Sequence, residues 1–320
     1  MMESNHEDFD EFTKIRETEH MDAIWSEILS GLEQYWPQFL ATVKNKQSKE
    51  TSTGIPGDDE TPEFKIYQYF EKALEKYDEI QDKYADLFDT ETLEEYLEDP
   101  NSFKQSLSKD IPIISQTLHS PAAELKEWKI AFRLAPPSDL LNVFINIVDF
   151  MQAWEADDCL KEFQNSEEID DLELFELSED EYLINQVIGG GIQSTVLYHI
   201  DCKRFPIRNR NSLYALYFLS SRKSCGLPSD SSEFLMVGDC SYETHGFIMM
   251  EHNYWYPYDV YWVYADRIYD WLSDKLATMA IDVNKSMKYV YVRAFSDGIC
   301  SLHSDDIKTM RGHERFEAPM

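Results

Sequence analysis

Apolar residues recur every three or four positions through most of this chain, which limits what it can fold into. From about Asp22, Ile24, Ile28, Leu32, Trp36 and Phe39 form one stripe, widened by Trp25 and Leu29. Pro37 lies inside that stripe and is expected to kink or stop the helix. A second stripe runs through Ile66, Phe70, Ala73, Leu74, Tyr77, Ile80, Tyr84 and Leu87, with Lys and Glu mixed on the other side. Shorter helical pieces fit 90–99, 101–109 and 121–134, with Ile111-Pro112 breaking the pattern between them. A longer helix over 138–163 carries Leu141, Phe144, Val148, Met151, Trp154 and Leu160, with Ser138 as its expected N-cap. The aromatic stripe Tyr261, Tyr264, Ile268, Trp271 and Leu272 predicts a helix over about 258–280.

Strand signals are few. Phe234 to Val237 and Gly246 to Met250 flank a polar stretch and suggest a hairpin, while Lys288 to Arg293 alternates like a strand. The expected fold is mainly α and multi-helical, with a helix-hairpin-helix in its C-terminal half and a small β-hairpin element. The expected organisation is an acidic tail over 1–21, then a helical region over 22–135 containing a linker at 47–62. A second helical domain follows over 136–305, then a loose tail over 306–320. The linker expectation rests on its polar, Gly- and Pro-containing composition.

Charge is the second constraint. Sixty-one acids against 29 Lys and Arg give a formal net charge of −32, which disfavours nonspecific attraction to nucleic acid. Residues 1–100 hold 27 acids and 9 bases, and residues 151–200 hold 13 acids and 1 base. Residues 165–181 therefore read as an acidic connector. Between 182 and 229 the sign reverses: Lys203, Arg204, Arg208, Arg210, Arg222 and Lys223 face the single acid Asp201. Five scattered cysteines with no close pair point to a reducing cytoplasm. The acidic N-terminus lacks the basic start and apolar run of a signal peptide, and no window is apolar enough to span a membrane.

The basic island follows the one motif that carries chemistry. Residues 187–197 read Val-Ile-Gly-Gly-Gly-Ile-Gln-Ser-Thr-Val-Leu. Ser178-x-x-Glu181 is a capping box expected to open a helix over 179–187, and Thr195 to Ile200 reads as the next helix. Gly189 and Gly191 are expected to permit a tight turn with positive φ. The free N–H groups of the second helix's first turn would then form a nest for a backbone phosphate.

This stretch resembles the helix-hairpin-helix element of the DNA glycosylase superfamily. The resemblance continues into Phe205-Pro206-Ile207, which is similar to the aromatic-Pro-apolar step that leads to a catalytic Asp in that family. It spans about residues 178–222. Arg208 stands where the Asp would be, and Gln193 stands where bifunctional members carry a catalytic Lys. The resemblance thus implies DNA-backbone binding without base-excision chemistry. The nucleic-acid-binding residues expected on this basis are Gly189, Gly191, Gln193, Ser194, Lys203, Arg204, Arg208 and Arg210, with a role in bacterial genome defence or repair by analogy.

Other signals are weaker. No cofactor motif is present, and neither a P-loop nor a hydrolase elbow occurs. Cys225, Cys240, His245 and His252 have no compact zinc spacing and read as thiols and surface histidines. His199 could reach a phosphate but reads more simply as structural. The cluster Tyr254, Trp255, Tyr256, Tyr258, Tyr261 and Trp262 lacks interleaved bases and reads as packing rather than base stacking. Two functional classes remain. One is a noncatalytic nucleic-acid-binding protein, with the acidic connector lying over the basic island as an internal mimic. The other is an acidic interaction protein (an inhibitor, antitoxin or DNA mimic) acting on a basic partner.

Overall fold

The structure is a computed structural model, and it describes residues 13–50, 61–122, 125–154, 166–223, 227, 232–237 and 250–311. Several expectations fall outside these residues: the start of the acidic tail, most of the linker, the hairpin turn and the end of the C-terminal tail. Among the described residues the fold is mainly α, with one short antiparallel strand pair. No described helix is long and apolar enough to cross a membrane.

The chain divides into two units, each assembled from separate stretches of sequence. The first comprises 1–72, 209–283 and 291–320, and the second comprises 73–208 and 284–290.

In the first unit, α1 (Thr18–Glu50) runs through Pro37 without stopping. Pro37 and Glu33, whose carbonyl loses its partner, both lie on the exposed side, where water can satisfy it. Around Pro37, Trp36 and Phe39 pack with Trp271 and Phe295, and that burial outweighs the missing hydrogen bond. Ile24, Ile28 and Leu32 are fully buried, each contributing on the order of 1.5–3 kcal/mol of gross burial energy. They face the core that α9 (Arg210–Leu219) and α10 (Tyr258–Thr278) complete with Leu213, Leu219, Val260, Ile268 and Leu272. At the α1–α9 contact, a Cβ on Gly31 would run into the backbone of Leu219, so glycine is what lets the helices meet. The strand pair joins β1 (Leu235–Val237) to β2 (Met250–His252), with Met236 opposite Glu251. The second strand includes Met250, and the rest of the expected 246–250 lies outside the described residues.

The second unit is built from short helices: α3 (Thr90–Glu95), α4 (Pro100–Asp110), α5 (Pro112–His119), α6 (Lys126–Leu134) and α7 (Pro137–Ala153). The end of α2 (Pro62–Leu87) joins them. Proline starts helices here rather than ending them: Pro100, Pro112 and Pro137 each occupy a first-turn position, where a missing N–H costs nothing. Pro136, not Ser138, is the N-cap of α7. Asp99 caps α4 by accepting the Ser102 N–H at 3.3 Å. Leu140, Phe144 and Ile147 of α7 meet Phe103 and Leu107 of α4 in the core.

Two expectations are corrected. Residues 288–294 form no strand: they open α11 (Lys288–Leu302). Residues 306–310 belong to α12 (Ser304–Met310) rather than to a loose tail.

Candidate functional site

The glycine run opens α8 (Gly190–Ile200), with Gly189 as its N-cap in extended backbone at φ −111°. The helix closes on Gly189, whose carbonyl accepts the N–H groups of Ile192 at 3.0 Å and Gln193 at 3.1 Å. Neither Gly189 nor Gly191 is left-handed, and a Cβ on either would meet open space. The positive φ expected here occurs instead at Gln186, φ 61°, in a turn closed by Ile184 and Ile188. The helix expected over 179–187 is also absent. Residues 166–182 form three 3₁₀ segments, Ser166–Leu172, Leu174–Ser178 and Asp180–Tyr182. The reason is visible in the spacing. Ile169, Leu172, Leu174, Leu177 and Tyr182 all turn inward, a crowding of anchors that a single α-helical face does not supply.

These 3₁₀ turns make a strap rather than a loose connector. Three side chains from elsewhere in the unit donate to its backbone carbonyls. Trp154 Nε1 reaches Leu172 O at 2.7 Å, Gln193 Nε2 reaches Leu177 O at 2.8 Å, and Asn146 Nδ2 reaches Glu181 O at 2.9 Å. Just beyond the strap, Trp128 Nε1 donates to Val187 O at 2.8 Å. Irregular backbone leaves carbonyls without ladder partners, and these donors fill that need. The carboxylates point the other way: Asp170, Asp171, Glu173, Glu179, Asp180 and Glu181 are exposed. Partial burial raises the Glu176 carboxyl above its ordinary range, and the neighbouring Glu173, Glu179 and Glu181 raise it further.

The expected site residues sort by what they touch. Gln193 and Ser194 are buried, so their side chains face the interior of the second unit. The Ser194 hydroxyl accepts the Arg208 N–H and donates to the Arg208 carbonyl, each at 3.2 Å. Arg208 is 7% exposed, and its guanidinium lies directly over Gly190. A Cβ at 190 would displace the end of the Arg208 side chain, so this close approach, and not a turn, is what favours glycine there. Arg204 pairs with Asp201 at 2.5 Å and donates to Trp154 O at 2.7 Å, with its guanidinium over the Phe205 ring. Gly189, Gly191 and Lys203 are exposed in the same unit, and Arg210 is exposed at the start of α9 in the first unit. Phe205, Pro206 and Ile207 are buried. Of the other bases in the island, Arg222 pairs with Asp306 at 2.7 Å and Lys223 with Glu27 at 2.8 Å.

His199 is structural: it is buried, its Nδ1 lies 2.8 Å from Thr195 O, and its ring stacks on Tyr84 at 4.2 Å. Tyr256, Tyr258, Tyr261 and Trp262 are core, while Tyr254 and Trp255 are exposed. Cys225, Cys240 and His245 lie outside the described residues, and no described group of three or more His, Cys, Asp or Glu is placed to hold a metal. Cys202 and Cys300 are buried free thiols, pushed up by burial to about 11 and about 12.

One polar cluster in the first unit has no signature in the sequence. The buried Glu233 carboxylate contacts the His20 ring and accepts the Tyr256 hydroxyl at 2.6 Å. Arg16, which precedes His20 in the chain, pairs with the buried Asp259, which follows Tyr256. The partners are separated by 213 and 243 positions, so no local pattern could reveal them.

No family model, curated protein or solved structure matches this chain.

Proposed function

We propose that the chain is a noncatalytic acidic interaction protein that engages a basic partner, and that the strap over 166–182 is its contact surface. The carrying observation is the strap's two-sidedness. Apolar anchors and three side-chain donors fix its backbone, so a row of carboxylates is held outward at little further conformational cost. Partial burial, and after it the neighbouring Glu173, Glu179 and Glu181, raise the proton affinity of Glu176, and a cationic partner would relieve the repulsion among these carboxylates. A strap of this kind would act as an inhibitor or DNA mimic toward a nucleic-acid-binding surface. The scattered cysteines, with no close pair in the sequence, support a reducing cytoplasm for this activity.

A second reading keeps the glycine run as a contact for a DNA backbone phosphate. It is favoured by the exposed amides at the start of α8 beside the Arg208 guanidinium. It ranks second because Arg204, Arg222 and Lys223 are spent on acids of this chain. Both readings are tested by titrating the full chain at low salt with a labelled DNA duplex and, separately, with a labelled Lys/Arg-rich peptide. Peptide binding that weakens with salt, without duplex binding, supports the first reading. Duplex binding lost in Gly191→Asp overturns it in favour of the second.

A further inference from the structure

We propose that residues 13–20 form a charge-held clasp on the first unit, opening locally before the rest of that unit unfolds. The clasp has two prongs, Arg16 in the break before α1 and His20 in the first turn of that helix. Arg16 reaches Asp259 in the first turn of α10, and His20 reaches Glu233 just ahead of β1. The acids come from two different segments, so one short N-terminal segment ties both down.

The receiving side is polar throughout. Tyr256 donates to the second oxygen of Glu233, Asn253 donates to the Glu233 backbone carbonyl at 2.9 Å, and Asp259 also accepts the Val260 N–H at 2.8 Å. Glu233, Tyr256 and Asp259 are each at most 3% exposed. The backbone of the clasp is weakly built by contrast. Helical hydrogen bonding is interrupted at Arg16 and Glu17, so residues 13–15 are not continuous with α1. The backbone N–H groups of Arg16 and Glu17 donate to Thr13 O and Lys14 O, in single-turn bonds. Among the described residues before Met21, Ile15 is the one buried apolar anchor.

Buried ion pairs add little net stability compared with apolar packing, because desolvation offsets the attraction. A segment held mainly by such pairs therefore has less to lose on opening than the apolar stripe at Ile24, Ile28 and Leu32. When the clasp opens, two carboxylates and a phenol are uncovered together, a set that attracts cations.

Native-state hydrogen exchange on the full chain tests this. Amides of residues 16–21 are expected to exchange at least about tenfold faster than those of 24–39, as a local opening requires. Glu233→Gln, which keeps the shape but removes the charge, is expected to speed exchange at 16–21 and leave 24–39 unchanged. Equal rates across both stretches in the wild type, or equal acceleration of both by Glu233→Gln, would overturn the proposal. If that variant does not fold, the wild-type ratio decides alone.

Discussion

The side-chain amide of Gln193 donates to the carbonyl of Leu177 at 2.8 Å, and this bond fastens the acidic strap to α8. Gln193, expected from the sequence to face nucleic acid, is thus a structural clip. Gln193→Leu keeps similar volume but leaves a buried carbonyl unsatisfied, which costs about 1–3 kcal/mol. Chemical denaturation of the variant should show that loss, and near-wild-type stability would mean the clip carries no weight.

The three consecutive glycines should respond differently to alanine. Gly190→Ala places a methyl group in the space of the Arg208 guanidinium, which is buried and cannot swing aside freely. A loss of roughly 1–3 kcal/mol is expected, as for overpacking elsewhere. Gly189→Ala and Gly191→Ala meet open space and no left-handed backbone, so they should stay within about 0.5 kcal/mol of wild type. Thermal melts of the three variants side by side check the order.

In the first unit, Gly31→Ala drives a methyl group into the Leu219 backbone, which has no flexible end to move. It should be the most damaging of these glycine changes, at roughly 3 kcal/mol or more. Soluble expression with an unchanged melting temperature would show that α1 and α9 can separate at no cost.

Much of this fold is legible in the sequence, because the stripes from Ile24 to Phe39 and from Ile66 to Leu87 face a core on one side only. The pattern fails where burial is not one-sided. Tyr289, Val290, Tyr291 and Val292 are all at most 4% exposed, so this opening turn shows no polar face and its alternation imitates a strand. The strap was hidden differently: its many acids read as a solvated connector, while Leu172, Leu174 and Leu177 follow neither the helical nor the strand period. The candidate site was half legible. The glycine run and the basic residues could be read, but pairing of Arg204 with Asp201 and burial of Gln193 and Arg208 depend on packing. The His20–Glu233 pair depends on segments distant in sequence and left no local trace.

Two carboxylates should bend the pH-stability profile in opposite senses. The folded Glu176 binds its proton more tightly than the unfolded one. Its contribution therefore favours the fold at low pH and is lost as pH rises through its raised folded value. Asp306 is lowered by its hydrogen bond to His303, with Arg222 adding to the effect. Its contribution is present above the ordinary aspartate range and is lost as pH falls below it. Denaturation between pH 3 and 7 (roughly the carboxylate range) should show Glu176→Gln flattening the first slope and Asp306→Asn the second.

The central claim is that the strap, and not the overall charge, recognises a basic partner. The direct measurement is fluorescence anisotropy of a labelled Lys/Arg-rich peptide titrated with three full-length proteins at one low salt concentration. One is wild type. The second replaces Asp170, Asp171, Glu173, Glu179 and Glu181 by their amides, and the third does the same to Glu75, Asp78, Glu79, Asp82 and Asp86 on the exposed side of α2. Both variants lose the same charge, so long-range attraction falls equally in each. The strap variant is expected to bind at least about tenfold more weakly than the α2 variant, as loss of direct charge contacts requires. Equal weakening in the two variants would contradict the account.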